Sequence, residues 1–216
     1  NKNSLLNNEL LKIIKLKYDQ FYLINTNFDS VNDFSFNINN KLKVENLTIN
    51  SNILIDSSQY KRNNLINENL IEINDLIDLK DHKIKASYTN KKLSIKGKGK
   101  VKLVDKFELI DYEVEKKGSN FDLVSNIELS EINIKNQNLI KEYLPNTKDT
   151  LSLKNHKIKI NYKDNILSLV GSGKIKLEKE FNKIKYIFSK KNEKYNFETN
   201  IEVNDVPLKI DFINYE

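Results

Sequence analysis

Two matching stretches decide the fold: LKDHKIKASYTNKKLSIKGKGKVKL, residues 79–103, and LKNHKIKINYKDNILSLVGSGKIKL, residues 153–177. The match runs without a gap over residues 79–135 and 153–209, at a constant offset of 74, with 23 of 57 aligned positions identical. Self-similarity at a fixed offset is the signature of a repeat protein, in which each copy is one structural unit. The sequence therefore predicts two tandem units, residues 79–152 and 153–216. Residues 1–78 are expected to hold the end of a preceding β unit and a connecting segment.

Apolar residues occupy every second position over long stretches of both units, which is the pattern of β-strands. In an antiparallel sheet this alternation places apolar side chains on one face and polar side chains on the other. We therefore expect one set of side chains from each unit to line a shared apolar face. In the first unit they are Ile84, Ala86, Tyr88, Leu93, Ile95, Val101, Leu103, Ile110, Tyr112, Val114, Phe121, Leu123, Ile127 and Leu129. In the second unit they are Ile158, Ile160, Tyr162, Leu167, Leu169, Ile175, Leu177, Ile184, Tyr186, Phe188, Tyr195, Phe197, Ile201 and Val203.

Short polar segments at residues 89–91, 116–120, 163–165 and 190–194 separate the apolar runs. Such tight connections make successive strands antiparallel neighbours, so each unit should be a meander. Ile132 and Ile134 are expected to begin a fifth segment. Apolar residues at helical spacing in residues 136–146, and a similar stretch at 63–77, predict short helices. The predicted fold class is mainly β, with tandem antiparallel meander repeats forming a long curved sheet, a β-groove, joined by short connecting helices.

The first 60 residues are less regular. Alternating apolar residues from Phe34 to Ile38, and again up to Ile49, predict two strands with a bulge near Asn46. Residues 4–14 have apolar side chains at helical spacing, but the alternation from Ile14 to Tyr18 fits a strand equally well. The sequence leaves this choice open.

Four of the five glycines occupy matching places in the two units, as Gly97 with Gly99 and Gly171 with Gly173. They lie inside alternating strands, and no phosphate-binding GK[ST] sequence follows them. A glycine inside a strand commonly marks a bend or the close approach of another backbone. We expect that structural role here.

His82 and His156 are also equivalent, each at the predicted start of a strand. Two histidines far apart in sequence, without cysteine or clustered carboxylates, do not make a metal site. No nucleophile or base accompanies them, so the sequence predicts no enzyme activity and no cofactor. We expect each histidine to make a local hydrogen bond.

The formal net charge is +6, from 36 basic and 30 acidic residues. Lysine, asparagine and isoleucine are abundant together, which is typical of AT-rich coding sequences, and Arg62 is the only arginine. Because arginine is the usual choice for bidentate recognition of bases and phosphates, no nucleic-acid partner is expected. A lysine-rich surface that binds acidic polymers is a further possibility, which steep salt dependence would reveal. Four carboxylates that alternate with lysines should form cross-strand pairs; these are Glu113, Glu115, Glu128 and Glu202.

The apolar face itself allows two interpretations. It is either ordinary core, packed against a second sheet or covering helices, or an open surface that hydrocarbon chains can reach. The predicted helices are too few to cover so many long strands, which favours the open surface. The chain contains no methionine and begins at Asn1, so we expect it to lack its natural start and to be a soluble fragment of a longer protein. It contains no cysteine, which excludes disulfides and thiolate metal sites.

The sequence resembles the AsmA-like family, and within it the large YhdP-type members with an AsmA-like C-terminal region. The likeness rests on LKDHKIKASYTNKKLSIKGKGKVKLVDKFELIDYEVEKK at 79–117, NIELSEINIK at 126–135 and VPLKIDFINYE at 206–216. FSFNINNKLKVENLTINS at 34–51 is similar to a preceding unit of the same family. The likeness covers residues 34–216 and rests on the style of the repeat.

This resemblance implies a bridge-like protein that is anchored in the inner membrane and extends through the periplasm. Its β-groove would carry phospholipids toward the outer membrane and so maintain outer-membrane integrity. The partners implied are phospholipid acyl chains along the groove and membranes at the ends of the full-length protein. Headgroups are expected near Lys98, Lys100, Lys174 and Lys176. The alternative is a structural or protein-interaction module with a closed core.

Overall fold

The computed structural model describes residues 4–6, 23–61, 76–135, 148–177, 179–192 and 194–202. These residues form one antiparallel sheet of eleven strands, arranged side by side in the order of the chain. The strands are β1 Ser4–Leu6, β2 Leu23–Ile38, β3 Val44–Lys61, β4 Leu76–Thr89, β5 Lys92–Lys102, β6 Phe107–Lys117, β7 Asn120–Lys135, β8 Thr150–Lys163, β9 Ile166–Lys176, β10 Phe181–Lys191 and β11 Lys194–Ile201. The predicted mainly β fold with antiparallel meanders is confirmed.

The internal repeat is visible strand by strand. β4, β5 and β6 correspond to β8, β9 and β10 with the same offset of 74 at both ends of each strand. β4 and β8 begin three residues before the sequence match does, at Leu76 and Thr150. The prediction of a separate fifth segment at Ile132 and Ile134 is wrong, because β7 continues to Lys135 while paired with β8.

The predicted connecting helix at 136–146 lies outside the described residues. So does most of the second one, at 63–77, although its last two residues, Leu76 and Ile77, already belong to β4. Near the N-terminus, Ser4–Leu6 is a strand that pairs with β2, and residues 7–14 lie outside the described part. The pairing of β2 with β3 is interrupted between Ser35 and Asn37, opposite Asn46, which has a φ of 52°. The predicted bulge is therefore confirmed.

Two-residue turns join the first two strands of each unit. Asn90 and Lys91 have φ values of 52° and 59°, and Asp164 and Asn165 have 51° and 60°. Positive φ at both central residues is the mark of a type I′ turn, whose twist matches that of the flanking strands. These turns fix the register, and hence which face each side chain occupies.

The register collects most of the apolar side chains on one side of the sheet, which we call the apolar face. The other side is the polar face, which also exposes a few apolar side chains, such as Leu109 and Val170. Directly opposed residues of an antiparallel pair share a face. Ile84 is opposed by Ile53 on β3 and by Gly97 on β5. Ile158, its equivalent, is opposed by Ile127 on β7. The same relation continues from strand to strand, so this face is mainly apolar from β3 to β11.

The described strands form a single layer. Each strand makes its close contacts with the strands before and after it, so no described strand lies over either face. A buried cluster nevertheless occupies the apolar face of β7–β10, at the end of these strands away from the tight turns. It consists of Leu129, Ile132, Leu151, Leu153, Ile175, Leu177 and Ile184.

Candidate functional site

The apolar face is the candidate site, because it holds the side chains that the sequence singled out. Twenty-five of the predicted residues lie in paired strands and share this face. Leu103 and Leu177 follow β5 and β9 directly and pack with the buried cluster. Val203 lies outside the described residues. With strands spaced about 4.8 Å apart, eleven of them make a face about 50 Å across.

Burial changes along the strands of this face. At the cluster end, Leu151 and Leu177 have no exposed surface. At the opposite end, beside the tight turns, Phe121 is 40% exposed and Tyr195 and Phe197 are each 60% exposed. Most residues between these ends are half-buried, shielded by their neighbours on the same face. The apolar face thus has a closed end and an open end.

A histidine, a tyrosine and two glycines form a compact group on the apolar face of each unit. In the first unit, Nδ1 of His82 lies 3.3 Å from the hydroxyl of Tyr112, and Nε2 lies 3.0 Å from the carbonyl oxygen of Lys100. A carbonyl only accepts, so Nε2 carries the proton and Nδ1 accepts from the tyrosine hydroxyl. A β-carbon at Gly97 would overlap the ring of Tyr112, and one at Gly99 would overlap the ring of His82.

The second unit repeats this group closely. Nδ1 of His156 lies 3.3 Å from the hydroxyl of Tyr186, and Nε2 lies 2.9 Å from the carbonyl oxygen of Lys174. Gly171 and Gly173 again leave room for the two rings. The sequence predicted that these glycines allow the strand to bend or another backbone to approach. The structure corrects this role, because the glycines leave room for the rings of neighbouring side chains.

The ionisation of these groups fits a structural role. Burial lowers the pKa of His82 and of His156, against the opposing effect of the hydrogen bond to a carbonyl. Burial raises the pKa of Tyr112 and of Tyr186 to about 12. Both histidines are therefore neutral and both tyrosines protonated near neutral pH, as the hydrogen-bond pattern requires.

The sequence predicted His82 and His156 at the start of a strand, and this prediction is wrong. Each is the seventh residue of a long strand, in β4 and β8. Each follows a residue with positive φ, Asp81 at 56° and Asn155 at 53°, where the pairing shifts by one residue. Each histidine lies two residues before an isoleucine of the apolar face, Ile84 or Ile158, and so shares that face. The bulge brings the residues on its other side, such as Leu79, onto the same face. Its signal was present in the sequence, since aspartate and asparagine tolerate positive φ better than most residues.

A buried carboxylate near the closed end was not anticipated. Glu108, at the start of β6, is buried on the apolar face opposite Val101. Its two oxygens accept hydrogen bonds from the backbone N–H and the hydroxyl of Ser130, at 2.9 and 2.6 Å. A buried carboxylate needs such partners. Its equivalent in the second unit, Asn182, is also buried.

The polar face carries the predicted ion pairs. The four predicted carboxylates each pair with a lysine, and this prediction is confirmed. The pairs are Glu113–Lys96 at 3.0 Å, Glu115–Lys92 at 2.8 Å, Glu128–Lys157 at 3.3 Å and Glu202–Lys183 at 3.1 Å. All are well exposed, so each contributes little to stability.

The lysines expected to meet headgroups lie on this polar face too. Lys98 and Lys100 alternate with Gly99 and Val101, and Lys174 and Lys176 flank Ile175 in the same way. Successive residues of a strand point to opposite faces. These four lysines therefore point away from the apolar lining, and the position of headgroups stays a prediction. Two other lysines, Lys116 and Lys190, do lie on the apolar face at its open end.

Among the described residues, no three His, Asp or Glu side chains come together as metal ligands do. Within the same residues, no helix has the length and apolar character needed to cross a bilayer. No known family model matches the chain, and neither a curated protein nor a solved structure is significantly similar to it.

Proposed function

We propose that this chain is a segment of a periplasmic, bridge-like lipid-transfer protein whose apolar face carries the acyl chains of phospholipids between the inner and outer membranes. In this proposal the sheet curves into a β-groove, the full-length protein is anchored in the inner membrane, and the segment has no catalytic role. One observation supports it above all: an apolar face extends across β3 to β11, and no described strand lies over it.

The chemistry of the face suits hydrocarbon. Burying a methylene group is worth about 0.8 kcal/mol, and aliphatic and aromatic side chains supply such contacts without specific polar partners. The two units present equivalent side chains, for example Ile95 and Leu169, at equivalent places in the register. Neighbouring sites of similar affinity allow an acyl chain to move along the face, because no site retains it much more strongly than the next.

In this proposal the headgroups lie at the open end, where two lysines belong to the apolar face. Lys116 is opposed by Leu93 and Phe121, and Lys190 by Leu167 and Tyr195. Each therefore stands where the apolar face meets solvent. A phosphate at that position would meet an ammonium group while its acyl chains remain among apolar side chains.

Photo-crosslinking tests the proposal. A diazirine side chain at Ile95 or Leu169 should label phospholipid in cells, whereas one at Lys96 should not. Lys96 is the matched control, since it is the next residue of the same strand and points to the polar face. Equal labelling from both faces would contradict the proposal.

A structural or protein-interaction module is the second candidate, and the buried cluster at the closed end supports it. Side chains as fully buried as Leu151 and Leu177 indicate core packing at that end. Under this alternative, the purified chain extracts no phospholipid, and a crosslinker at Ile95 labels protein.

A further inference from the structure

The polar face carries two shallow depressions that the lipid proposal does not use. The smaller, of about 530 Å³, crosses β3 to β6, and the larger, of about 750 Å³, crosses β6 to β11. The smaller one is lined by the residues on either side of Ile53, Ile84, Gly97 and Tyr112. Those four residues belong to the apolar face, so their chain neighbours, and the depression, belong to the polar face.

Four lysines form a rectangle in the smaller depression. Lys83 is directly opposed to Lys98, and Lys85 is directly opposed to Lys96. Opposed residues lie about 5 Å apart, and residues two apart along a strand lie about 7 Å apart. Like charges directly opposite one another destabilise a sheet. The arrangement is thus unfavourable for the fold by itself.

Nearby carboxylates compensate only part of this charge. Glu113 pairs with Lys96 at 3.0 Å. Asp111 is opposed to Lys98, but its oxygen accepts a hydrogen bond from the amide of Asn126 at 2.7 Å. Within the described part of the chain, Lys83, Lys85 and Lys98 form no ion pair with a carboxylate.

The charge of the larger depression can be compared with that of the smaller one. The smaller depression holds four lysines and the two carboxylates of Asp111 and Glu113, a net charge of +2. The larger one holds three lysines and three carboxylates, a net charge of zero. At the positions equivalent to Lys96 and Lys98, the second unit has Val170 and Ser172. The repeat fold therefore does not require these two lysines.

We propose that the depression across β3–β6 binds a phosphate-bearing anion with more than one charged group. Each pair of opposed ammonium groups would hold one phosphate, and the spacing of about 7 Å between the pairs suits the two end groups of a short chain of phosphates. Bound phosphate would also offset the repulsion between the opposed lysines. This site lies on the face away from the acyl chains and does not depend on the lipid function.

Titration of the full chain with inorganic tripolyphosphate at about 100 mM salt, followed by calorimetry and by amide NMR shifts, tests the proposal. Phosphatidylcholine vesicles containing phosphatidylglycerol test whether the phosphate can come from a lipid. The variant Lys96→Val/Lys98→Ser carries the residues that the second unit has at the equivalent positions, so it should fold. The control Lys41→Ser/Lys43→Val removes the same charge from the exposed β2–β3 turn.

The proposal predicts saturable binding, with shifts concentrated around Ile84 and Gly97. Affinity should fall at least tenfold in Lys96→Val/Lys98→Ser and less than twofold in the control. Vesicles that are displaced by tripolyphosphate support the same site with a lipid source. Four results would each overturn it. The first two are no binding of tripolyphosphate and an equal loss of affinity in the two double variants. The other two are amide shifts spread evenly over the lysines and vesicle binding that tripolyphosphate does not displace.

Discussion

Replacing Gly171 by alanine tests the packing of the histidine, tyrosine and glycine group. The new β-carbon would overlap the Tyr186 ring, which lies over the glycine and hydrogen-bonds to His156. The ring must move, because the overlapping atoms belong to a planar ring that is itself packed in the sheet. The strand geometry remains favourable for alanine, so any loss of stability reports the clash and the broken hydrogen bond.

The expected cost follows from three contributions. Overpacking costs about 1–3 kcal/mol, and loss of the hydrogen bond adds about 1 kcal/mol. Alanine offsets about 0.5–1 kcal/mol by restricting the unfolded chain more than glycine does. The free energy of unfolding should therefore fall by about 1–3 kcal/mol. Guanidinium denaturation followed by circular dichroism measures this change as a shift in midpoint.

Two controls identify the cause. Ser172→Ala changes the next residue, which is exposed on the polar face, and should alter stability by less than about 0.5 kcal/mol. In a Tyr186→Leu background the overlapping ring is gone, so Gly171→Ala should become neutral or stabilising. A cost that is the same in both backgrounds would refute the packing argument, as would a cost no larger than that of Ser172→Ala.

Two further predictions concern protonation and turns. Burial lowers the pKa of His82 and of His156 in the folded chain. Near the ordinary histidine pKa of about 6.5, the unfolded chain therefore binds more protons than the folded chain. The free energy of unfolding should consequently fall as the pH drops through that value. Urea midpoints between pH 8 and 5 measure this, and a His82→Gln/His156→Gln variant should show a flatter profile; an unchanged slope would contradict the role of the histidines. Lys91 has a φ of 59°, a left-handed conformation that costs a lysine about 1 kcal/mol. Lys91→Gly should therefore stabilise the protein by about 0.5–1 kcal/mol. Asn165→Gly, at the equivalent turn position, should stabilise it less, because asparagine tolerates this conformation better. Equal gains at the two turns, measured by thermal denaturation, would argue against this reasoning.

The strands and their faces could be predicted because period-two alternation is a local signal, and the second unit repeats it independently. Ile84 and Ile158 illustrate this, since each was assigned to the apolar face from its neighbours alone. The same rule places Lys98 and Lys174 on the polar face, because each lies next to residues of the apolar face along its strand. The single layer depends on whether anything packs over either face of the sheet, which no local pattern specifies.

The details of the candidate site were harder to predict, because they depend on side chains that meet across strands. Tyr112 reaches Gly97 only because the register of β5 and β6 makes them opposed. Glu108 finds Ser130 through a departure of β7 from regular pairing with β6. The bulge at Asp81 moves Leu79 by one position relative to simple alternation from Ile84. Each of these contacts follows from a register, which the sequence indicates only through its turns.

The strict chain order of the strands has a consequence for how such a protein changes in length. No described strand relies on a partner distant in the sequence, so a four-strand unit can be inserted or deleted while every remaining hairpin keeps its pairing. Each insertion widens the ribbon by about 19 Å, four times the spacing between strands. Gene duplication can thus widen the sheet in whole units without altering the design of the unit.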